Sequence, residues 1–223
     1  PTTVQKYLYL LTYLHRFCDE LDDGLRIDPF PGRSHGEVAG VRDADIRRWP
    51  YTPQAVAVPL IQGAIGLVSH GAAPILQARD VYAAATSAAN QRGCLIDACT
   101  NAATRALQHA CIEVPGQPRP VLTVDDLALS IDMLYAACFV VISYLVGPRL
   151  SEILYLEAGC VQRRAGTVSD DEVTVIVGAI FKHQPEYTGR PHEWVAPPPA
   201  VAAIAVLEAL SAGHRTQAGC PQL

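Results

Sequence analysis

The sequence has little charge and no long apolar run. Charged residues make up 17% of its 223 residues and hydrophobic residues 50%, a balance that excludes an intrinsically disordered chain. The most apolar stretch, Met133–Val146, is about 14 residues long, whereas a membrane-spanning helix needs about 20. Its length is typical of a buried core helix, so we expect no membrane partner.

Metal-binding patterns are also missing. The seven cysteines form no CxxC pair, and their scatter over apolar helical contexts predicts reduced, mostly buried thiols of a cytosolic protein. His192-Glu193-Trp194 lacks the HExxH spacing of a zinc site. We therefore expect no metal and no cofactor. The chain has no visible signal peptide and begins at Pro1 without an initiator methionine, so we expect an excised fragment.

The charge balance leaves the partner open. A formal net charge of −5 argues weakly against a freestanding nucleic-acid binder, but the charge is unevenly spread. Residues 1–49 hold seven Lys and Arg against eight Asp and Glu, and residues 50–120 hold four against three. A DNA-binding surface needs only a minority of basic residues clustered on one face.

Hydrophobic periodicity predicts helices over most of the chain. Residues 4–24 have apolar side chains at helical spacing, with Gly24 as the expected C-cap. A second helix is expected to begin with Thr52 as N-cap, and residues 77–112 read as helical with a break near Gly93. Thr123, followed by acidic residues, is the expected N-cap of the most apolar helix.

The pattern changes after residue 160. The stretches EVTVIVGAIF and HEWVAP are short and rich in β-branched or aromatic residues, which predicts a two-stranded hairpin with a long loop. A proline-initiated helix follows and is expected to end near Gly213. The predicted fold class is mainly α with a small antiparallel β-sheet (α+β).

Arg149 follows the end of the apolar helix. Gly147-Pro148 stops that helix, and Ser151 is the expected cap of the next one. Arg149 therefore lies on a tight turn, with Glu152 near enough to steady its guanidinium. Because arginine keeps its charge, it needs an anion or a carboxylate there. The residues alone also allow a purely structural reading, in which Arg149 only pairs with Glu152 and caps a carbonyl.

The stretch GPRLSEILYLEAGCV resembles the first arginine box of the tyrosine recombinases, the phage integrase family. The shared pattern is a small-residue turn, Arg149, one residue, Ser151-Glu152, an aliphatic residue and then a leucine. Downstream, VTVIVGAIFKHQPEYTGRPHEWVAPPPAVAAIAVLEAL is similar to the family's lysine-bearing hairpin, return strand and proline-led helix, with Lys182 at the lysine. Residues 50–223 would be the N-terminal part of an incomplete integrase-like catalytic domain. Residues 1–49 would be the end of a DNA-binding region or a connector helix.

The resemblance implies roles for particular residues. Arg149 would clamp the phosphate under attack, and Lys182 would act as the general acid at the leaving oxygen, while Ser151 and Glu152 would support the arginine. Arg163 and Arg164 are candidate phosphate contacts, although isolated basic pairs are usually solvated surface. A solvated hairpin lysine is likewise the structural alternative for Lys182.

The resemblance also implies a function for the whole protein, which is site-specific DNA recombination through a 3′-phosphotyrosyl intermediate, with neither metal nor external energy. The partners would be double-stranded DNA and other protomers on paired sites, in a bacterial cytoplasm and at the nucleoid when bound. The family's His-x-x-Arg box occurs nowhere in the 223 residues. None of the nine tyrosines follows such a box, and Tyr187 in the hairpin loop is a poor nucleophile candidate. The chain alone should not cleave DNA.

Two other functions remain open from the sequence. One is a non-catalytic DNA-binding or assembly module that kept the fold without the chemistry. The other is a helical protein–protein scaffold with no DNA role. Salt-sensitive binding of duplex DNA would argue against the scaffold, because phosphate contacts release counterions.

Overall fold

The structure, a computed structural model, describes residues 2–40, 52–165, 172–181 and 189–223. It divides into two compact units, Pro1–Thr52 and Pro53–Leu223. Each unit is described by itself. The described residues are mostly helical, with one small antiparallel sheet, which confirms the predicted α+β class.

The first unit contains helix α1, Thr2–Arg16, and the one-turn helix α2, His35–Val38. The predicted continuation of α1 to Gly24 is wrong. Asp19, Glu20, Asp22 and Asp23 follow Arg16, and acidic side chains are unfavourable at the negative C-terminal end of a helix. The chain instead turns back, and the Leu25 N–H donates to the Leu14 carbonyl at 3.2 Å.

The second unit is a helical bundle with a sheet on one side. Its helices are α3 Gln54–Gly66, α4 Ala72–Gln91, α5 Ile96–Ala110, α6 Val124–Leu145, α7 Leu150–Leu154 and α8 Pro198–Ala218. The predicted break near Gly93 lies in the α4–α5 turn, and the cap of α3 is Pro53 rather than Thr52. Helix α8 runs past Gly213 and ends at Gly219, whose φ of +64° supplies the left-handed cap that glycine favours.

Helix α6 lies at the centre of the core, as its apolar second half predicts. Leu134, Cys138, Val141 and Ile142 are fully buried, and α6 packs against α3, α4 and α8. Two stretches, Gln54–Gln91 and Val124–Leu145, are long and apolar enough to cross a membrane by length and composition alone. Core helices share that length and composition, and α6 supplies the central residues of this core.

A π-helical turn, Leu67–Gly71, joins α3 to α4 without a loop. Such turns add one residue to the α-helical repeat. Beside it lies an apolar cleft of about 660 Å³, bounded by α3, the turn and α6. Pro59 lies inside α3 and His70 in the turn, and both line this cleft.

The sheet has the order β1-β2-β3, with β1 Val161–Ala165, β2 Glu172–Ile180 and β3 Arg190–Val195. The pairing of β2 with β3 confirms the predicted hairpin, in register Ile176↔Trp194 and Gly178↔His192. Strand β1 was not predicted, since VQRRA has only one β-branched residue and few apolar side chains. It pairs with β2 in register Val161↔Ile176. Ile176 and Trp194 lie on the face of the sheet that packs against the helical core.

Candidate functional site

The corner between α6 and α7 is built from three residues of different kinds. Gly147 has φ +84°, a left-handed conformation that glycine adopts without a Cβ penalty. Its N–H donates to the Ile142 carbonyl at 3.4 Å, which closes the last turn of α6. Pro148 is buried and has no N–H to leave unpaired. Gly147 and Pro148 therefore fix the direction in which the backbone enters Arg149.

Arg149 is held by Glu152 at two points. Glu152 Oε2 accepts the Arg149 backbone N–H at 2.6 Å, and Glu152 Oε1 accepts Nη1–H at 2.8 Å. The Glu152 side chain is only 4% exposed, whereas that of Arg149 is 52% exposed. Glu152 therefore pairs with the guanidinium, which both the recombinase interpretation and the purely structural one predict.

The guanidinium keeps donors free for a second partner. An arginine offers five N–H donors, and among the described residues Glu152 is the one carboxylate that lies within ion-pair distance of Arg149. Because half of the side chain faces solvent, the remaining N–H groups are open to an anion from outside. A planar guanidinium binds phosphate oxygens two at a time. The corner combines a fixed backbone with an accessible, permanent positive charge.

Ser151 does not cap α7, which corrects the sequence prediction. The N-cap is Arg149, so Ser151 lies inside the first turn and is exposed. The carboxylate of Glu152 accepts the N–H of the cap residue. Since Glu152 is three residues past the cap, it occupies the position of the glutamate in a capping box.

Arg163 and Arg164 lie on β1, where neighbouring side chains point to opposite faces of the sheet. Each is paired with a carboxylate in an exposed ion pair, Arg163 with Glu172 at 3.1 Å and Arg164 with Glu193 at 2.9 Å. The two arginines therefore do not form one basic patch. Their role as phosphate contacts stays a prediction that requires displacement of these carboxylates.

Lys182 lies outside the described residues. Its neighbour Phe181 is described, and the Phe181 ring contacts that of Tyr155 with centroids 4.5 Å apart. Tyr155 is the residue at which α7 ends. The base of the hairpin is thus attached to the helix that Arg149 begins, and this helix of five residues is about 7.5 Å long.

Sequence reasoning missed the contacts that fix the loop after α7. The Glu208 carboxylate on α8 accepts the Gly159 N–H at 2.7 Å, and the Leu223 N–H donates to the Leu156 carbonyl at 2.9 Å. These partners are far apart in the chain, so no local pattern indicates them. They hold the segment between α7 and β1 against the last helix.

The thiol of Cys160, which lies in the loop after α7, is buried. Burial raises the pKa of the Cys160 thiol to about 11, so it is protonated at neutral pH and a poor nucleophile. In the parts of the chain that the structure describes, no group of three or more His, Cys, Asp and Glu side chains is placed to hold a metal ion. Among the described residues, this corner brings together the charged groups of Arg149 and Glu152.

Comparisons with known proteins give no relative to set beside this geometry. No protein-family model, curated protein or solved structure matches the chain. The likeness to tyrosine recombinases therefore stays a prediction from the residues around Arg149 and the hairpin.

Proposed function

We propose that this chain is part of a site-specific DNA recombinase of the tyrosine recombinase class, to which it supplies the catalytic arginine Arg149 and the hairpin lysine Lys182. The observation that carries the proposal is the geometry of Arg149. Its backbone is fixed by a glycine–proline corner and by Glu152, while half of its side chain remains exposed.

The chemistry needs such a group. When a tyrosine attacks a DNA phosphodiester, negative charge builds up on the non-bridging oxygens of the transition state. A prepositioned guanidinium stabilises that charge without reorganising, which is a large term in catalysis. Glu152 would act as a positioning residue, since its buried carboxylate orients the guanidinium and leaves the outward N–H groups for phosphate.

Lys182 would donate a proton to the leaving 5′ oxygen. A lysine can give up a proton, whereas an arginine practically cannot. The contact between Tyr155 and Phe181 supports this role, because it attaches the residue before Lys182 to the helix that Arg149 starts. Strand β2 also packs against α7.

The other parts of the proposal follow from the reaction. Strand exchange needs paired cuts, so the partners would be double-stranded DNA and further protomers, and the place would be the bacterial cytoplasm at the nucleoid. The His-x-x-Arg box and the nucleophilic tyrosine would come from residues outside this sequence. The remainder of the fold would be that of an incomplete recombinase catalytic domain.

A non-catalytic DNA-binding or assembly module is the second candidate. The observation that favours it is the lack of any His-x-x-Arg sequence in the 223 residues. Both candidates predict DNA binding. The reading frame after Leu223 discriminates between them, because only the enzyme requires that box and a tyrosine behind it.

The test of DNA binding uses the full chain and a fluorescent DNA duplex in a salt series. If Arg149 binds phosphate, the logarithm of the binding constant falls linearly with the logarithm of salt concentration. Arg149→Gln should lower the affinity several-fold at low salt and make the slope shallower by about 0.9, the share of one phosphate. Arg149→Lys should keep most of the affinity, since it keeps the charge.

The matched control is Arg92→Gln, which removes an exposed arginine at the end of α4. It should change neither the affinity nor the slope beyond the effect of one remote charge. Circular dichroism melting of every variant separates lost binding from lost folding, because Arg149→Gln leaves Glu152 buried with one partner fewer. Equal effects of Arg149→Gln and Arg92→Gln, or duplex binding that does not respond to salt, would contradict the proposal.

A further inference from the structure

The first unit contains a cavity of about 580 Å³ between the end of α1 and the loop that leads to α2. Its lining has more basic than acidic groups. It includes the side chains of Thr12, His15, Arg16, Asp28, Arg33 and His35. None of the functions considered above assigns a role to this cavity.

Hydrogen bonds hold the loop that forms the cavity wall. His15 Nδ1 lies 2.9 Å from the Leu25 carbonyl, and since a carbonyl only accepts, Nδ1 carries the proton. In a neutral ring that leaves Nε2 as an acceptor. Gly24, the residue before Leu25, lies very close to the backbone of Cys18. A Cβ added at Gly24 would be only 2.4 Å from the Cys18 Cα. The loop therefore crosses α1 in one tight arrangement.

The turn that carries Arg33, the second arginine of the cavity, is also held by hydrogen bonds. The Arg33 N–H donates to the Phe30 carbonyl at 2.9 Å, in a turn where Gly32 has φ +70°. Behind it, Ser34 and Glu37 form a capping box, and the His35 ring meets the Tyr9 ring edge to face at 4.8 Å. Arg33 thus projects from an ordered turn.

The Ser34 N–H, with help from the charge of Arg33, holds the pKa of Glu37 below its ordinary value, but Arg33 forms no close ion pair in the part of the chain that the structure describes. Among the described residues, no carboxylate lies within ion-pair distance of Arg16 or Arg33. The Asp28 carboxylate in the lining accepts the Phe30 N–H at 2.9 Å. The Glu37 carboxylate accepts the Ser34 N–H at 2.7 Å. Each of these acids also accepts a backbone N–H, and the lining of the cavity holds two arginines against one carboxylate, that of Asp28.

We propose that this cavity binds a phosphate group. Two arginines with free donors match a doubly or singly charged oxyanion, and arginine forks bind phosphate oxygens with defined geometry. The cavity exceeds the size of one phosphate ion, so the group belongs to a larger molecule, either a nucleic-acid backbone or a phosphorylated small molecule. The nucleic-acid source rests on the proposed function, whereas the preference for phosphate does not.

The experiment follows backbone amide NMR signals of the full chain during three titrations, with inorganic phosphate, with a nucleoside monophosphate and with a short DNA duplex. Sodium chloride at matched ionic strength gives the reference. We expect phosphate-dependent shifts at residues 12–16 and 28–35 beyond those that chloride causes. The double variant Arg16→Gln/Arg33→Gln should weaken binding by at least about ten-fold, the effect of losing a charge-assisted hydrogen bond.

Arg26→Gln is the matched control, because Arg26 is an exposed arginine of the same unit that does not line the cavity. Arg16→Lys/Arg33→Lys retains the charge and should recover part of the affinity. Unchanged dispersion of the amide signals shows that the variants are folded. A duplex affinity that falls in the double variant identifies the nucleic-acid source. An effect confined to the monophosphate identifies a small molecule.

Two outcomes would overturn the proposal. One is that neither phosphate nor duplex shifts the cavity signals more than chloride does. The other is that Arg26→Gln weakens binding as much as the double variant, which would show a diffuse charge effect. The result is separable from that of the proposed function, since duplex binding that depends on Arg149 but not on Arg16 or Arg33 contradicts only the nucleic-acid source of the phosphate.

Discussion

At the scale of single residues, Arg149 and Glu152 show how one buried carboxylate can orient an arginine while most of its donors stay exposed. The sequence predicts this pair because Glu152 follows Arg149 by three residues, which brings the two side chains close together at the start of a helix. It does not predict that the arginine itself is the cap, since arginine is not a preferred cap residue. The exposure of the side chain depends on what packs around the corner, and spacing holds no such information.

The cysteines correct another expectation. All seven are free, but Cys94, Cys111 and Cys220 are exposed, so the thiols are not mostly buried. Helical context predicts burial only where the residue faces the core. In α5, for example, Cys99 does so, whereas Cys111 follows the end of the helix in a left-handed conformation with φ 45°.

The exposed cysteines should therefore react faster with thiol reagents than the buried ones. Burial raises the pKa of Cys138 to about 12 and that of Cys160 to about 11, so both remain protonated at neutral pH. Because the thiolate is the reactive form, we expect a disulfide reagent to modify the exposed thiols quickly and these two only after unfolding. Replacing the three exposed cysteines by serine should remove the fast phase. Rapid labelling of Cys138 in the native chain, located by mass spectrometry, would contradict the structure.

At the scale of elements, sequence patterns predict helices with strong caps well and short strands poorly. Thr123 caps α6 as expected, with its hydroxyl accepting the Asp126 N–H at 3.1 Å. Strand β1 was not predicted because it has polar side chains on both faces. It forms a strand because it pairs with β2. Helix α1 ends early because acidic residues follow Arg16, and the loop that turns back over Cys18 makes a contact with no counterpart in the periodicity.

The cap of α6 gives a test of stability. Thr123→Ala should lower the free energy of unfolding by about 1 kcal/mol, and Thr123→Ser should restore most of it.

The same cap predicts a pH dependence. The Thr123 hydroxyl, followed by the charge of Arg119, holds the pKa of Asp126 below its ordinary value. The contribution of Asp126 is thus complete above the ordinary carboxyl pKa and is lost as pH falls through the lowered one. Urea unfolding across the acidic range should show a smaller loss in Thr123→Ala.

At the scale of the whole molecule, composition and the most apolar run are enough to predict a helical core around α6. The residues that fill it from other helices, such as Ile75 and Ile204, are not recognisable as partners from the sequence. Their contact depends on how helices far apart in the chain pack together. The same is true of the site, in which Arg149 and Glu152 are local and predictable, whereas the support from Glu208 and Leu223 is long-range.

Two leucines of one helix test the placement of the core. Leu134 is 0% exposed and Leu129 is 61% exposed, both on α6. Leu134→Ala should cost about 2–5 kcal/mol of unfolding free energy because it removes packed atoms and leaves a cavity. Leu129→Ala should change it by less than about 0.5 kcal/mol. Chemical denaturation of both variants checks this, and similar losses would show that α6 is oriented differently.

The π-helical turn between α3 and α4 takes up one residue more than an α-helical turn while the chain still completes about one turn. Loss of one residue from Leu67–Gly71 would therefore restore a regular helix and leave α3 nearly in its present orientation. In the regular part of α4 the same deletion would rotate α3 by about 100°, because each residue of an α-helix adds that angle. The side of α3 that now lies on α6 would then face away from it.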